Sequence, residues 1–285
     1  MTEIHLGKQI GSGATANVYE CGQGKVCKLY EPNADNAEFE YRKMKEAYDL
    51  RLPVPRPFEL IEVDDRHGII MEQICGTSLM EILMKHLAFC FENRMPYHEI
   101  FISDVIQGMI RTVAATLADF HSHACNLQET DKISLSTGCQ YNTYLSNAEK
   151  EKVYDLIARL PDGDSLIHGD PNPGNFIVQN GIVRVIDWND CVRGNYMYDI
   201  AEYVLIMRYA TVSIDLPEPV FQFITEYQAE FSKVFMTEYT RLTNRDLSTL
   251  EQWTLPILVS KLNANNPPKK QDRILADVKT LLRAL

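Results

Sequence analysis

HGDPNPGNFIVQNGIVRVIDW, residues 168–188, decides most of what the sequence says about this protein. It opens on a loop too stiff for a plain connector. Pro171 and Pro173 fix the backbone, and Gly169 and Gly174 permit tight turns. Two β-rich runs follow, flanking Asn180-Gly181. Asn-Gly is a strong hairpin signal because both positions tolerate positive φ. The hairpin returns the chain, so Asp187 comes back beside Asn175 and an amide oxygen meets a carboxylate. That pair suits a hard cation such as magnesium, which takes one or two protein oxygens and completes its shell with phosphate and water. Asp170, five residues ahead of Asn175, stays free to receive or orient the proton of an attacking hydroxyl. His168 is expected to pack and hydrogen-bond the loop rather than to act as a ligand or base.

Upstream, IGSGATANVY (residues 10–19) sets Gly11 and Gly13 between two strands. Glycine allows close approach to a phosphate, and the free N–H groups of such a turn can cradle it. An ordinary hairpin turn would look the same. KVCK follows at 25–28, and strand alternation puts Val26 and Lys28 on one face. Lys25 competes with Lys28 but sits in the turn, where water would solvate it. A helix is predicted over 35–50, capped by Asp35 with Glu38 three residues on, and LPVPRP at 52–57 ends it. Its apolar stripe is Ala37, Tyr41, Met44, Ala47 and Tyr48. Glu40 interrupts that stripe, either as the partner of Lys28 or as an edge residue reaching solvent. FELIEV (58–63) and GIIMEQI (68–74) read as a further strand pair.

Beyond residue 75 helical periodicity takes over, with helices predicted at 79–93, 101–123, 146–159, 198–211, 218–241, 246–264 and 270–284. Asp199 begins one of these and is expected to accept backbone N–H bonds that hold the 168–175 loop, besides capping its helix. The fold class is α+β: a small β-rich lobe with one helix over 1–75, a hinge at 71–76, and a large, mainly helical lobe over 76–285.

The bulk numbers narrow the partners. The 285 residues carry a formal charge of −11, with 45% hydrophobic and 24% charged side chains. An acidic chain repels phosphate backbones, so no nucleic acid is expected. The start, MTEIHLGKQIGSG, lacks the pattern of a secretory signal, and no apolar run approaches the roughly 18 residues of a membrane span. A cytoplasmic protein without membrane association is expected, as a monomer or dimer. The seven cysteines are odd in number and form no CxxC pair, which fits reduced thiols and argues against zinc.

In order, IGSGATANVY, KVCK, EFEYRKMKEAYDLRLPVPRP, IIMEQICG, LADFHSH, LIHGDPNPGNF and VIDWNDCVRGNYMYDIA resemble the aminoglycoside phosphotransferase and choline kinase-like branch of the protein-kinase fold. The resemblance implies ATP as phosphoryl donor, with GTP as an alternative, and Mg2+ as cofactor. It implies Asp170 as catalytic base, Asn175 and Asp187 as metal ligands, and Lys28 on the α- and β-phosphates, oriented by Glu40. Gly11, Ser12, Gly13 and Thr15 would form the phosphate loop. Met71 to Ile74 would form the nucleotide hinge, with Glu72 and Ile74 in contact. Ala16 stands where a third glycine is usual, and Asn195 and Tyr196 stand where this branch usually has Asp and Pro. The implied activity is transfer of a γ-phosphate to the hydroxyl of a small molecule. Negative charge at Asp170, Asp187, Asp190 and Glu202 favours a cationic acceptor, such as an aminoglycoside or amino sugar. A choline-, ethanolamine- or sugar-type kinase, a neutral macrolide as acceptor, and a catalytically silent binding module are the alternatives.

Overall fold

The computed structural model describes residues 5–13, 15–32, 36–213, 216–264 and 266–285. In chain order the first elements are β1 (Gln9–Ser12), β2 (Ala16–Glu20), β3 (Lys25–Tyr30), α1 (Ala37–Asp49), β4 (Pro57–Val63), β5 (Arg66–Glu72) and β6 (Thr77–Ser78). Then come α2 (Leu79–Glu92), α3 (Tyr97–Phe101), α4 (Asp104–His121), α5 (Asp131–Gln140) and α6 (Asn147–Arg159). The strands β7 (Ser165–Ile167), β8 (Phe176–Gln179), β9 (Ile182–Val185) and β10 (Val192–Gly194) precede α7 (Met197–Ser213), α8 (Glu218–Thr243), α9 (Glu251–Lys261) and α10 (Pro268–Arg283). None of these helices is long and apolar enough to cross a membrane.

Two compact units result: Met1–Leu79 with Gly174–Cys191, and Met80–Pro173 with Val192–Leu285. The 176–185 hairpin, which the sequence put in the C-terminal segment, therefore belongs to the first unit. Main-chain bonds explain this. β6 pairs with β8 through Thr77↔Val178 and Ser78↔Ile177, and Val185 N–H donates to the Pro53 carbonyl at 2.7 Å. Gly76 is required there, because a Cβ would lie 2.4 Å from the Val178 carbonyl oxygen.

In the first unit the strands form an antiparallel sheet in the order β1-β2-β3-β5-β4. Cys27, Leu29 and Ile70 fill its core. The predicted Asp35 cap lies outside the described residues. Asn36 holds the N-cap position without a side-chain bond, and Glu38 and Glu40 in the first turn complement the helix dipole. The predicted stripe needs correction: Ala37, Met44 and Ala47 are buried, but Tyr48 is exposed, and Glu40 and Lys43 are buried in its place. Asn180 (φ 52°) and Gly181 (φ 78°) make the two-residue turn between β8 and β9, closing on Gln179↔Ile182.

The second unit is helical around a core that includes Leu135, Val153, Ile157, Trp253, Ile257, Ile274 and Val278. Two predicted helices differ from those observed, and one observed helix has no predicted counterpart. The helix expected over 101–123 breaks after Phe101, because Ser103 caps a new start by accepting from Ile106 N–H. The helix expected from 246 begins at Glu251, after a turn in which Asp246 accepts from Ser248 N–H at 2.9 Å. Helix α5 was not predicted. Its SLSTG stretch lacks an apolar stripe, and tertiary bonds hold it instead, with Asn195 N–H donating to Asp131 Oδ2 at 2.7 Å.

Candidate active site

The first unit encloses a cavity of about 550 Å³. Alternation along β3 turns Cys27 and Leu29 into the core while Val26 and Lys28 line the cavity. Lys28 Nζ donates to both oxygens of Glu40 at 2.8 Å and to Asp187 Oδ1 at 2.9 Å. Glu40 reaches the pair from α1 with its side chain only 2% exposed, and the Tyr30 hydroxyl also donates to it. Glu40 is thus the buried partner of Lys28, not an edge residue in water. Burial alone would lower the Lys28 pKa, but the two carboxylates outweigh it and hold the ammonium above its ordinary value. Lys25 lies on β3 with its ammonium 4.6 Å from the Phe58 ring centroid, a cation–π contact rather than a solvated turn position.

Asp187 follows β9 in a left-handed conformation, φ 66°, a strained choice for a non-glycine residue. Its side chain is 48% exposed. Ile186 N–H donates to the Asn175 main-chain carbonyl at 3.0 Å, so the hairpin sets Asn175 and Asp187 side by side. Both line the cavity and both offer hard oxygen donors, a set that fits one magnesium ion completed by phosphate and water.

Gly11, Ser12, Gly13 and Thr15 line the same cavity. A Cβ at Gly11 or Gly13 would meet nothing closer than 3.4 Å and 3.5 Å respectively, which is ordinary contact. Internal packing therefore does not demand glycine at either position. In the hinge stretch, Glu72 and Gln73 give their N–H groups to the carbonyls of Arg56 and Gly24 at 2.9 and 2.8 Å. The Glu72 carboxylate is taken by Arg56 N–H at 3.1 Å and by Arg184 at 3.6 Å. Ile74 lines the cavity.

In the second unit Asp199 is fully buried and organises the loop after β7. Its Oδ2 accepts from His168 N–H and its Oδ1 from Gly169 N–H, both at 2.8 Å. Gly169 has φ 85°, which favours glycine. The His168 ring is buried against Phe120, and its Nδ1 accepts from Asp170 N–H at 3.3 Å. The loop is thus fixed from beneath while Asp170 lines a second cavity, of about 340 Å³.

Several of these groups escaped the sequence. His121, also fully buried, places Nε2 3.0 Å from Asp199 Oδ2 and Nδ1 2.8 Å from the Tyr239 hydroxyl. The neutral Nε2–H tautomer satisfies both: it donates to Asp199 and accepts from Tyr239. Burial lowers the His121 pKa and outweighs the pull of Asp199. A signal existed, since His121 continues the Ala114, Leu117 face of α4, and a buried imidazole needs partners. Lys43 was also missed; it is buried and donates to the Asn189 carbonyl.

Of the four acidic residues expected to favour a cationic acceptor, Asp190 and Glu202 are placed apart from Asp170 in what they touch. Asp190 is exposed and lines the first unit's cavity with Asn189. Glu202 is withdrawn from solvent: its side chain is 5% exposed and pairs with Lys261 at 2.6 Å. Asn195 accepts from Met197 N–H at 3.0 Å and so starts α7 without needing the carboxylate usual in the resembled branch.

The profile of the phosphotransferase enzyme family matches residues 7–242. The chain belongs to that family. Solved structures with the same fold include the aminoglycoside phosphotransferase APH(4)-Ia, a thermostable mutant in ternary complex with ADP and hygromycin B. It has a TM-score of 0.61 and 15% identity over 97% of this chain and 93% of its own. An amicoumacin kinase, in complex with AMP-PNP, Ca2+ and Ami, gives 0.59 and 13% over 96% and 86%. A choline/ethanolamine kinase family protein from Mesorhizobium loti gives 0.57 and 13% over 96% and 87%. At these identities the likeness establishes the protein-kinase-like fold of this phosphotransferase. No curated protein matches the sequence.

Proposed function

We propose that this phosphotransferase moves the γ-phosphoryl group of ATP to a hydroxyl of a small molecule. The observation that carries it is the Lys28–Glu40–Asp187 cluster, in which one ammonium is fixed by two carboxylates inside a cavity that also holds the glycine turn. Such a cluster has no structural need for Gly11 and Gly13, but a phosphate approaching their backbone does. Neighbours of the same fold crystallised with ADP or AMP-PNP support an adenine nucleotide as donor.

Lys28 would hold the α- and β-phosphates in a direction set by Glu40. Ile74 would offer its main chain to the base, since the N–H groups of Glu72 and Gln73 are already spent in the sheet. Asn175 and Asp187 would hold Mg2+ against the phosphate oxygens, where it neutralises charge that builds up during transfer. Asp170 would take or orient the proton of the attacking hydroxyl, on a loop held in place by Asp199. Glu202 is engaged by Lys261, which removes one of the four acidic side chains that favoured a cationic acceptor.

The test is ADP release from Mg·ATP across amino sugars, aminoglycosides, macrolides, choline and simple sugars. Acceptor-dependent ADP above the background hydrolysis supports phosphotransfer. ADP that forms at one rate whatever is added contradicts it.

A further inference from the structure

The second unit's cavity has a chemistry of its own. Among the described residues its polar lining is Asp170, Asn172, Gln228, Lys261 and Lys270, with Tyr209 beside them, and the other described lining residues are apolar. At about 340 Å³ it has the size of a small-molecule pocket. Lys261 is satisfied by Glu202. Lys270 is partly buried and makes no hydrogen bond or ion pair with any described residue, while sensing the charges of Lys261, Glu202 and Asp170. Its position in the first turn of α10, which carries no acidic side chain, leaves the positive end of that helix uncompensated too. Burial first, and then Lys261, hold its pKa below the ordinary lysine value.

A polycation fits this lining badly. It would need several acceptors, and among the described lining residues it would find one carboxylate, Asp170, with the Lys270 ammonium opposing it. An apolar body fits the walls, and an anionic group would relieve the half-buried ammonium, which has no ion pair among the described residues. Taking the phosphotransfer reading as its basis, we propose that the acceptor is a mainly apolar alcohol bearing one anionic group, which Lys270 pairs. The transfer itself balances simply. The acceptor hydroxyl oxygen bonds to the γ-phosphorus, the bond from that phosphorus to the β-phosphate oxygen breaks, ADP leaves, and the hydroxyl proton passes to Asp170.

Three probes of equal length separate charge from shape: ω-hydroxydodecanoate, its methyl ester and the corresponding amino alcohol. Calorimetry on the full chain is expected to rank the anion first, the ester second and the amine last. Lys270→Met should weaken the anion roughly 10–100-fold, the loss of one charge-assisted bond, and leave the ester unchanged. Lys270→Arg should keep the anion's lead, which shows that the Met result is not misfolding. An amine that binds best, an anion-to-ester ratio untouched by Lys270→Met, or no binding by any probe overturns the proposal. ADP release with the same probes separates it from the phosphotransfer reading. Binding in the expected rank without ADP would overturn phosphotransfer and keep the ligand class, whereas ADP from the amino alcohol alone would do the reverse.

Discussion

The two cavities treat charge in opposite ways. In the first unit the cavity's lysine and hinge glutamate both have protein partners: Lys28 is clamped between Glu40 and Asp187, and Glu72 accepts from the Arg56 main-chain N–H and pairs with Arg184. In the second unit Lys261 is paired, but Lys270 stands in an apolar wall without an ion pair among the described residues. The difference teaches how each site is specified. A triphosphate is the same in every turnover, so its binding groups are aimed in advance by fixed pairs, and little reorganisation is left for the ligand to cause. As the proposed acceptor pocket, the second cavity would leave a charge for the ligand itself to complete, so its residue types would carry information about the substrate.

The largest effect expected from this contrast is on chemistry. Asp170→Ala should lower turnover by roughly 10²–10⁴ and leave the nucleotide Kd unchanged, because Asp170 lines the second unit's cavity and not the first unit's, where the nucleotide is proposed to bind. A parallel loss in nucleotide affinity, seen by calorimetry, would erase the division of labour between the cavities.

Next is the support beneath the loop. Asp199→Ala strands the N–H groups of His168 and Gly169 and the Nε2–H of His121, all buried. At about 1–3 kcal/mol for each unsatisfied group, a loss of roughly 3–5 kcal/mol in unfolding free energy is expected. Chemical denaturation reads it directly, and a loss under 1 kcal/mol would mean that Asp199 does not hold the loop.

A smaller effect sharpens the first unit. Lys28→Met and Glu40→Gln, with the double variant, should show a coupling of roughly 1–3 kcal/mol in nucleotide affinity. Additive losses would mean that Glu40 does not aim Lys28.

The smallest effect is the pH dependence of folding. The folded state holds the His121 pKa below the ordinary 6.5. Unfolded chains therefore bind the proton first, and this contribution to stability is full above about pH 6.5 and declines as pH falls below it. His121→Gln should flatten the slope of unfolding free energy between about pH 7 and 5. An unchanged slope would place the acid sensitivity elsewhere.

The first cavity was far more legible in the sequence than the second, for a physical reason. Its residues lie where backbone rules put them. The Asn180-Gly181 turn fixes the return of Asp187 toward Asn175, strand alternation fixes the face of Lys28, and a buried glutamate on an apolar stripe calls for a cation. The second cavity draws on residues far apart in the chain, from the loop at Asp170 to Lys261 on α9 and Lys270 on α10, and no local period links them. Glu202 shows the consequence. Counted as a free acidic charge, it favoured a cationic acceptor; packed against Lys261, it neutralises a lysine instead. The same holds for α5, whose weak amphipathic pattern is offset by the bond from Asn195 to Asp131, and for His121, whose partners Tyr239 and Asp199 lie 118 and 78 residues away.

The central claim, that the first unit is a magnesium–nucleotide site independent of any acceptor, is tested most directly by calorimetry of Mg·ATP and of metal-free ATP on the native chain and on Asp187→Ala. The native protein should bind Mg·ATP more tightly than the free nucleotide. Asp187→Ala should abolish that preference and leave affinity for metal-free ATP near native, because the metal-holding carboxylate is gone while Lys28 keeps Glu40. Equal binding of both forms by the native protein, or an equal loss for both in the variant, would contradict the account.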